Sequence, residues 1–204
     1  MAPQPFYEDR GTPIALRQVL LALGQLGYPA DLLTYPIGRD VTSLGLRIFR
    51  SGNPFRFQSV PIGFSLRKVV LDVPLSVALA RRLRRERYWC MHAVEEAAFP
   101  AAILARRHGI PLLYDMQSSL AEQLCRLWPL GCPVARRTLD AAERWLLRRS
   151  TMVVTSAGLA ERVRRVTPGV PVREWHFSGA PAEATPVAVE ALRDRLDLRG
   201  QGPV

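Results

Sequence analysis

With 204 residues, 48% of them hydrophobic and 23% charged, the chain can fill one core, and its mean hydropathy of +0.01 is that of a globular domain. The formal net charge is +10 and every basic residue but Lys68 is arginine, which suits phosphate recognition but equally follows from a GC-rich codon preference. Cys90, Cys125 and Cys132 form no C-x-x-C pair, so neither a metal ribbon nor a disulfide framework is expected, and no segment reads as a signal peptide or a membrane span.

Along the chain, Thr12-Pro13 reads as a helix start, with Thr12 as the cap. Ile14, Leu16, Val19, Leu20, Leu23 and Leu26 follow at helical spacing, and Gly27 ends the run. Strands are predicted over Ala30–Tyr35 and Leu44–Arg50, then a loop over Ser51–Gly63. Leu66, Val69, Val70, Val73, Val77, Ala80 and Leu83 make one apolar stripe of a helix that Pro74 should kink or truly begin. Leu75 and Leu79 lie off that stripe, so this helix is apolar on more than one face. It closes in Arg81, Arg82, Arg84, Arg85 and Arg87.

A strand over Tyr88–His92 leads to a helix from Glu95 to Arg107, stopped by Gly109. The unit repeats with a strand over Pro111–Tyr114 and a helix opened by the capping box Ser119-Leu-Ala-Glu122. A helix over Val134–Arg149 turns Leu139, Ala142, Trp145 and Leu146 inward. A strand over Thr151–Thr155, a helix capped by Ser156 and running to Val166, and a strand over Val170–Phe177 complete the pattern. Trp128, Trp145 and Trp175 read as core or interface packing. Strands alternating with helices at this spacing predict an α/β fold, a doubly wound and mostly parallel Rossmann-like sheet flanked by helices. Residues 1–180 form that domain, and 181–204 form a linker and a short helix over Val187–Leu196.

In such a sheet, ligands sit at the carboxyl ends of the strands. His92, Glu95, Asp115 and Ser118 follow predicted strands and are expected to share one crevice. Gly11, between an expected strand and the first helix, offers backbone N–H groups to a phosphate or a sugar hydroxyl, with Arg10 and Thr12 beside it. A glycine needed only for a tight turn is the plainer reading. His92 can hydrogen-bond a hydroxyl or act as a base near neutral pH, or it can be a strand-end histidine satisfied by backbone. Glu95 and Glu96 fall in a helix's first turn, which favours carboxylates whatever their function. The arginines at 81, 82, 84 and 85 suit the helix end, and with Leu75 and Leu79 they could meet an anionic lipid surface. No nucleic-acid motif accompanies them.

The order of Glu8-Asp-Arg-Gly-Thr-Pro13, His92-Ala-Val-Glu-Glu96, Tyr114-Asp-Met-Gln-Ser-Ser-Leu120 and Val153-Val-Thr-Ser156 resembles the N-terminal domain of family 4 glycosyltransferases, which have the GT-B fold. The resemblance covers nearly the whole chain, Phe6 to Leu198. It implies one half of a GT-B enzyme that moves a sugar from a nucleotide-sugar co-substrate to a glycan or lipid-linked acceptor, with retention and without a metal or other cofactor. His92 is the catalytic residue it implies; Arg10, Gly11, Thr12, Glu95, Asp115 and Ser118 are the substrate-binding ones. Val94 and Gln117 stand where the family's pattern has histidines. The family's opening strand finds only Met1–Pro5 here, and its Glu-x7-Glu donor signature is absent from the sequence. The expectation is therefore an acceptor-side domain, incomplete alone and completed by a separate C-terminal donor-binding domain. It would be cytoplasmic, with peripheral contact at the inner membrane through Arg81, Arg82, Arg84 and Arg85. The rival reading is a non-catalytic Rossmann-like module that docks on a partner or an anionic membrane.

Overall fold

The computed structural model describes residues 1–42, 45–61, 63, 65–125 and 133–175. Trp128, Cys132, the Phe177 end of the last strand, the helix expected over Val187–Leu196 and the boundary at 180 lie outside the described residues. The elements in order are α1 (Gly11–Gln25), β1 (Ala30–Thr34), β2 (Leu46–Arg50), α2 (Leu66–Arg85), β3 (Met91–Val94), α3 (Ala98–His108) and β4 (Leu112–Met116). They continue with α4 (Leu120–Cys125), α5 (Pro133–Leu147), β5 (Met152–Thr155), α6 (Ala157–Val166) and β6 (Val172–Glu174). Every strand pair is parallel. The strands fall into a pair, β1-β2, and a four-stranded sheet, β3-β4-β5-β6. The expected α/β Rossmann-like architecture is thus present.

Neighbouring residues on a strand face opposite ways, and the two cores show it. Leu33, Ala93, Tyr114 and Val153 pack with α2, α3, α5 and α6 in the larger core. Leu32 and Val94 turn the other way, onto Leu16 and Leu20 of α1 and the side chain of Phe6. Among the described residues α1 is the helix that packs on this second face.

Helix α2 corrects the sequence reading most. Its buried row is Lys68, Leu71, Leu75, Leu79 and Leu83, so the leucines set aside as a second face are the core face. Val69, Val73 and Val77 are exposed, with Leu66 at 77%. Both rows are apolar, but leucine removes more area from water than valine, and each such burial is worth about 1.5–3 kcal/mol. Pro74 does not begin the helix, which runs through it from Ser65, whose Oγ accepts the Lys68 N–H. The arginines at 81, 84 and 85 are exposed, whereas Arg82 ties Asp31 at 2.8 Å and Tyr88 at 2.9 Å.

Other elements shift at their ends. α1 starts at Gly11 with Arg10 as its cap residue and no side-chain cap, so Thr12 is not the cap; Gly27, at φ 78, follows the helix as expected. β3 begins later and runs to Val94, not His92, and β4 runs to Met116, beyond Tyr114 and Asp115. The Ser119 capping box is half formed: Ser119 Oγ accepts the Glu122 N–H, while the Glu122 carboxylate goes to Arg162 at 2.6 Å. Ser156 stands at the cap of α6 without a capping bond. Trp145 stacks on Phe99 beside the core, but Trp175 is 45% exposed. No helix among the described residues is long and apolar enough to cross a membrane.

Candidate functional site

The residues picked out from the sequence separate into two cavities rather than one crevice, except Ser118, which lines neither. The first, of about 590 Å³, lies between the 4–12 segment, the start of α2, the exit of β3 and α4. Arg10, Gly11, Thr12 and Glu95 line it. The second is a longer groove of about 1240 Å³, and His92, Asp115 and Gln117 line that one. Gly11 borders both. The cause is the length of β3. Because the strand continues to Val94, His92 sits inside it, not at its end, while Glu95 takes the first position of a 3-10 turn, Glu95–Ala97.

Gly11 has open space around its Cα, with nothing within 4 Å of where a Cβ would stand, and its backbone is not in the left-handed region that favours glycine. Neither packing nor backbone conformation calls for a glycine there. With no side-chain cap, the first N–H groups of α1 lack a capping partner, and Gly11 and Thr12 line the cavity. Arg10 is committed elsewhere. Its Nε pairs with Glu8 at 2.8 Å and its Nη1 donates to the Val60 carbonyl at 2.9 Å, which ties the 4–12 segment to the loop before α2.

Facing this helix start is a cluster that the sequence reading largely missed. Glu95 adopts φ +47, an unusual conformation for a residue with a side chain. Its carboxyl accepts from Gln4 Nε2 at 3.2 Å and from Ser118 Oγ at 3.3 Å. Burial pushes its proton affinity above the ordinary carboxylate range, with Glu96 adding to the shift and Lys68, Ser118 and Gln4 opposing it. Lys68 is buried, with Nζ at 3.3 Å from Glu96. Asp72 accepts the Tyr35 hydroxyl at 2.7 Å. Burial raises the Asp72 pKa to about 6 although the Tyr35 hydrogen bond works against it. Burial and then the Asp72 charge drive the Tyr35 hydroxyl far above its usual value. Two signals for the cluster were in the sequence: Lys68 is the sole lysine, and Asp72 interrupts an apolar run.

Ser118 stands behind Glu95 and itself accepts from Gln123 Nε2 at 2.7 Å, which holds the carboxyl against α4. In the groove, His92 Nε2 lies 3.1 Å from Asp115 Oδ2, and Gln117 Nε2 donates to Asp115 Oδ1 at 2.6 Å. The aspartate is thus held from both sides, and it fixes the plane of a half-buried imidazole. Chemically, the first cavity offers a carboxyl held by Gln4 and Ser118, a buried cation and a helix start, and the groove offers an oriented histidine. Such groups read hydroxyls.

Residues 10–177 match the family model described as "Glycosyl transferase 4-like domain". Among curated proteins none matches the sequence. Among solved structures the chain is similar to sucrose-phosphate synthase from Thermosynechococcus elongatus, with a TM-score of 0.62 and 18% identity over 81% of this chain and 42% of that one. A second structure of that synthase, a shorter chain, aligns with a TM-score of 0.58 and 18% identity over 91% of this chain and 94% of that one. The chain therefore spans less than half the length of the longer synthase chain. At this identity the likeness establishes the fold.

Proposed function

The chain belongs to the glycosyl transferase 4-like domain family, and we propose that it is the acceptor-side half of a retaining glycosyltransferase that takes sugar from a nucleotide-sugar donor. One observation carries this reading: the uncapped start of α1 at Gly11 faces the half-buried carboxyl of Glu95 across a sugar-sized cavity. An acceptor there donates a hydroxyl to Glu95 and accepts from the N–H groups at Gly11 and Thr12, with Lys68 on the cavity wall. A carboxyl with raised proton affinity suits that hydroxyl contact. Ser118 positions Glu95 and Arg10 braces the loop. His92, oriented by Asp115, is assigned to a sugar hydroxyl at the seam between the cavities. Nucleotide binding and full catalysis belong to a facing donor-binding domain, because the rate depends on both substrates being held in one geometry. No cofactor beyond the nucleotide-sugar is invoked.

Saturation-transfer NMR of the chain with neutral sugars, sugar phosphates and nucleotide-sugars tests this. The expected result is acceptor-sugar binding that Glu95→Gln weakens roughly tenfold or more, the scale of a lost charge-assisted hydrogen bond. Absence of sugar binding, or binding indifferent to Glu95→Gln, overturns it.

A second reading concerns where the domain works. The exposed apolar row Leu66, Val69, Val73 and Val77 continues along α2 toward the exposed Arg81 and Arg84, and Val69 also lines the acceptor cavity. An apolar strip ending in cations suits the surface of an anionic membrane, and it would bring the cavity near a lipid-linked acceptor. Vesicles containing phosphatidylglycerol should retain the wild type and lose Val73→Glu; retention of both, or of neither, refutes the contact.

A further inference from the structure

The chain carries a formal net charge of +10, yet the cavity beside Gly11 is acidic. Asp9, Asp72, Glu95 and Glu96 line it against Arg10 and Lys68. Most of these charges are already spent within the protein. Asp9 pairs with Arg39 at 2.8 Å, and Arg10 pairs with Glu8 at 2.8 Å while donating to the Val60 carbonyl. Lys68 pairs with Glu96 at 3.3 Å. Asp72 and Glu95 have no ion-pair partner of their own among the described residues. Asp72 accepts from the Tyr35 hydroxyl, and Glu95 accepts from Gln4 and Ser118.

One ammonium therefore serves three carboxyl groups. Lys68 acts on Asp72 and Glu95 as well as on Glu96, and the Glu96 charge opposes ionisation of both. Even with a proton on Asp72, two carboxylates face one cation. The start of α1 adds only about half a positive unit charge, less than the negative excess. A phosphate or carboxylate entering here would meet like charge, weakly screened, with no cation free to receive it. A hydroxyl meets no such barrier. Gln4 and Gln123 spend side-chain N–H groups on Glu95 and Ser118. Their amide oxygens accept no hydrogen bond among the described residues, and both side chains line the cavity. Such oxygens accept from hydroxyls and repel the oxygens of a phosphate.

We infer that the cavity takes the uncharged end of its acceptor sugar, a polyol face without phosphate or carboxylate, and that Glu96 enforces this choice by occupying Lys68. The inference rests on the assignment of this cavity to the acceptor. Glu96 sets specificity by subtraction: it withdraws the one buried ammonium that would otherwise capture an anion. Contact with the sugar is left to Glu95 and the helix start.

Saturation-transfer NMR titrations of the wild-type chain with glucose, mannose and galactose, each beside its 6-phosphate, test it. Each phosphate should bind roughly tenfold or more weakly than its parent sugar. That gap should narrow from roughly 0.05 M to about 1 M salt, because its cause is electrostatic. Equal or tighter binding of the phosphates that is lost in Glu95→Gln overturns the inference and leaves the acceptor seat standing. A gap indifferent to salt is steric and also overturns it. Absence of binding by either form overturns both readings. Glu96→Gln frees the ammonium and should raise affinity for the 6-phosphates roughly tenfold, a gain that Glu96→Gln with Lys68→Gln should lose. No gain, or a gain that survives without Lys68, overturns the role of Glu96. The wild-type comparison needs no variant and decides the substrate class even where Glu96→Gln fails to fold.

Discussion

Asp72 offers the sharpest test of how the cavity beside Gly11 is built. Its carboxyl is half-buried beside Glu96, and its pKa is raised from 3.8 to about 6. Unfolding exposes it to water, where it ionises near 4. Between those values the unfolded chain has lost the proton and the folded chain still holds it, so stability falls as pH rises through this window. A displacement of about two units corresponds to about 3 kcal/mol, fully expressed above pH ~7. Asp72→Asn removes the titration but keeps an acceptor for the Tyr35 hydroxyl. Urea unfolding of both proteins at half-unit steps from pH 4 to pH 7.5 measures the difference, in which groups common to both cancel. The variant should gain on the wild type by about 3 kcal/mol across that range. A difference independent of pH would refute the reasoning, and one that falls as pH rises would reverse it.

Helix α2 gives a paired comparison: Leu75→Ala should cost about 2–5 kcal/mol and Val73→Ala under about 1 kcal/mol in chemical denaturation, because Leu75 is in the core and Val73 is exposed. Asp31 is held by Tyr88, Arg47 and Arg82, whose hydrogen bonds outweigh its burial and keep its pKa below the usual carboxylate value. Its contribution is therefore present above pH ~4 and lost as pH falls through the folded value. Asp31→Asn should lower the thermal midpoint at pH 7, and the gap to wild type should close in acid. Glu143 is buried and bonded to Ser119 at 2.7 Å and to Arg162 at 3.2 Å; Glu143→Ala should cost about 1–3 kcal/mol, read by urea unfolding, and Glu143→Gln less.

The architecture was legible because its signals are local. Gly27 and Gly109 close their helices where the spacing puts them, and Gly109 takes φ 66. The face of α2 was not legible. Its valine row and its leucine row both have helical period, and only the sheet decides between them by meeting Leu71, Leu75, Leu79 and Leu83. The site was half legible for a related reason. Gly11 and Glu95 were found by their positions at element ends, but reading β3 too early placed His92 at an edge it does not occupy. Tyr88–Cys90 look like strand by composition, yet Trp89 is 89% exposed and Tyr88 is drawn to Asp31 at 2.6 Å. Tyr35, Lys68 and Asp72 come from two elements distant in sequence, and no local pattern brings them together.

Amide exchange with and without the best-binding sugar tests the proposed seat of the acceptor between Gly11 and Glu95. New protection is expected at Gly11 and Thr12, at the start of α2 around Lys68 and at Glu95–Ala97. Protection confined to the groove around Leu113, Asp115 and Val154, with the Gly11 and Glu95 amides unchanged, would contradict it.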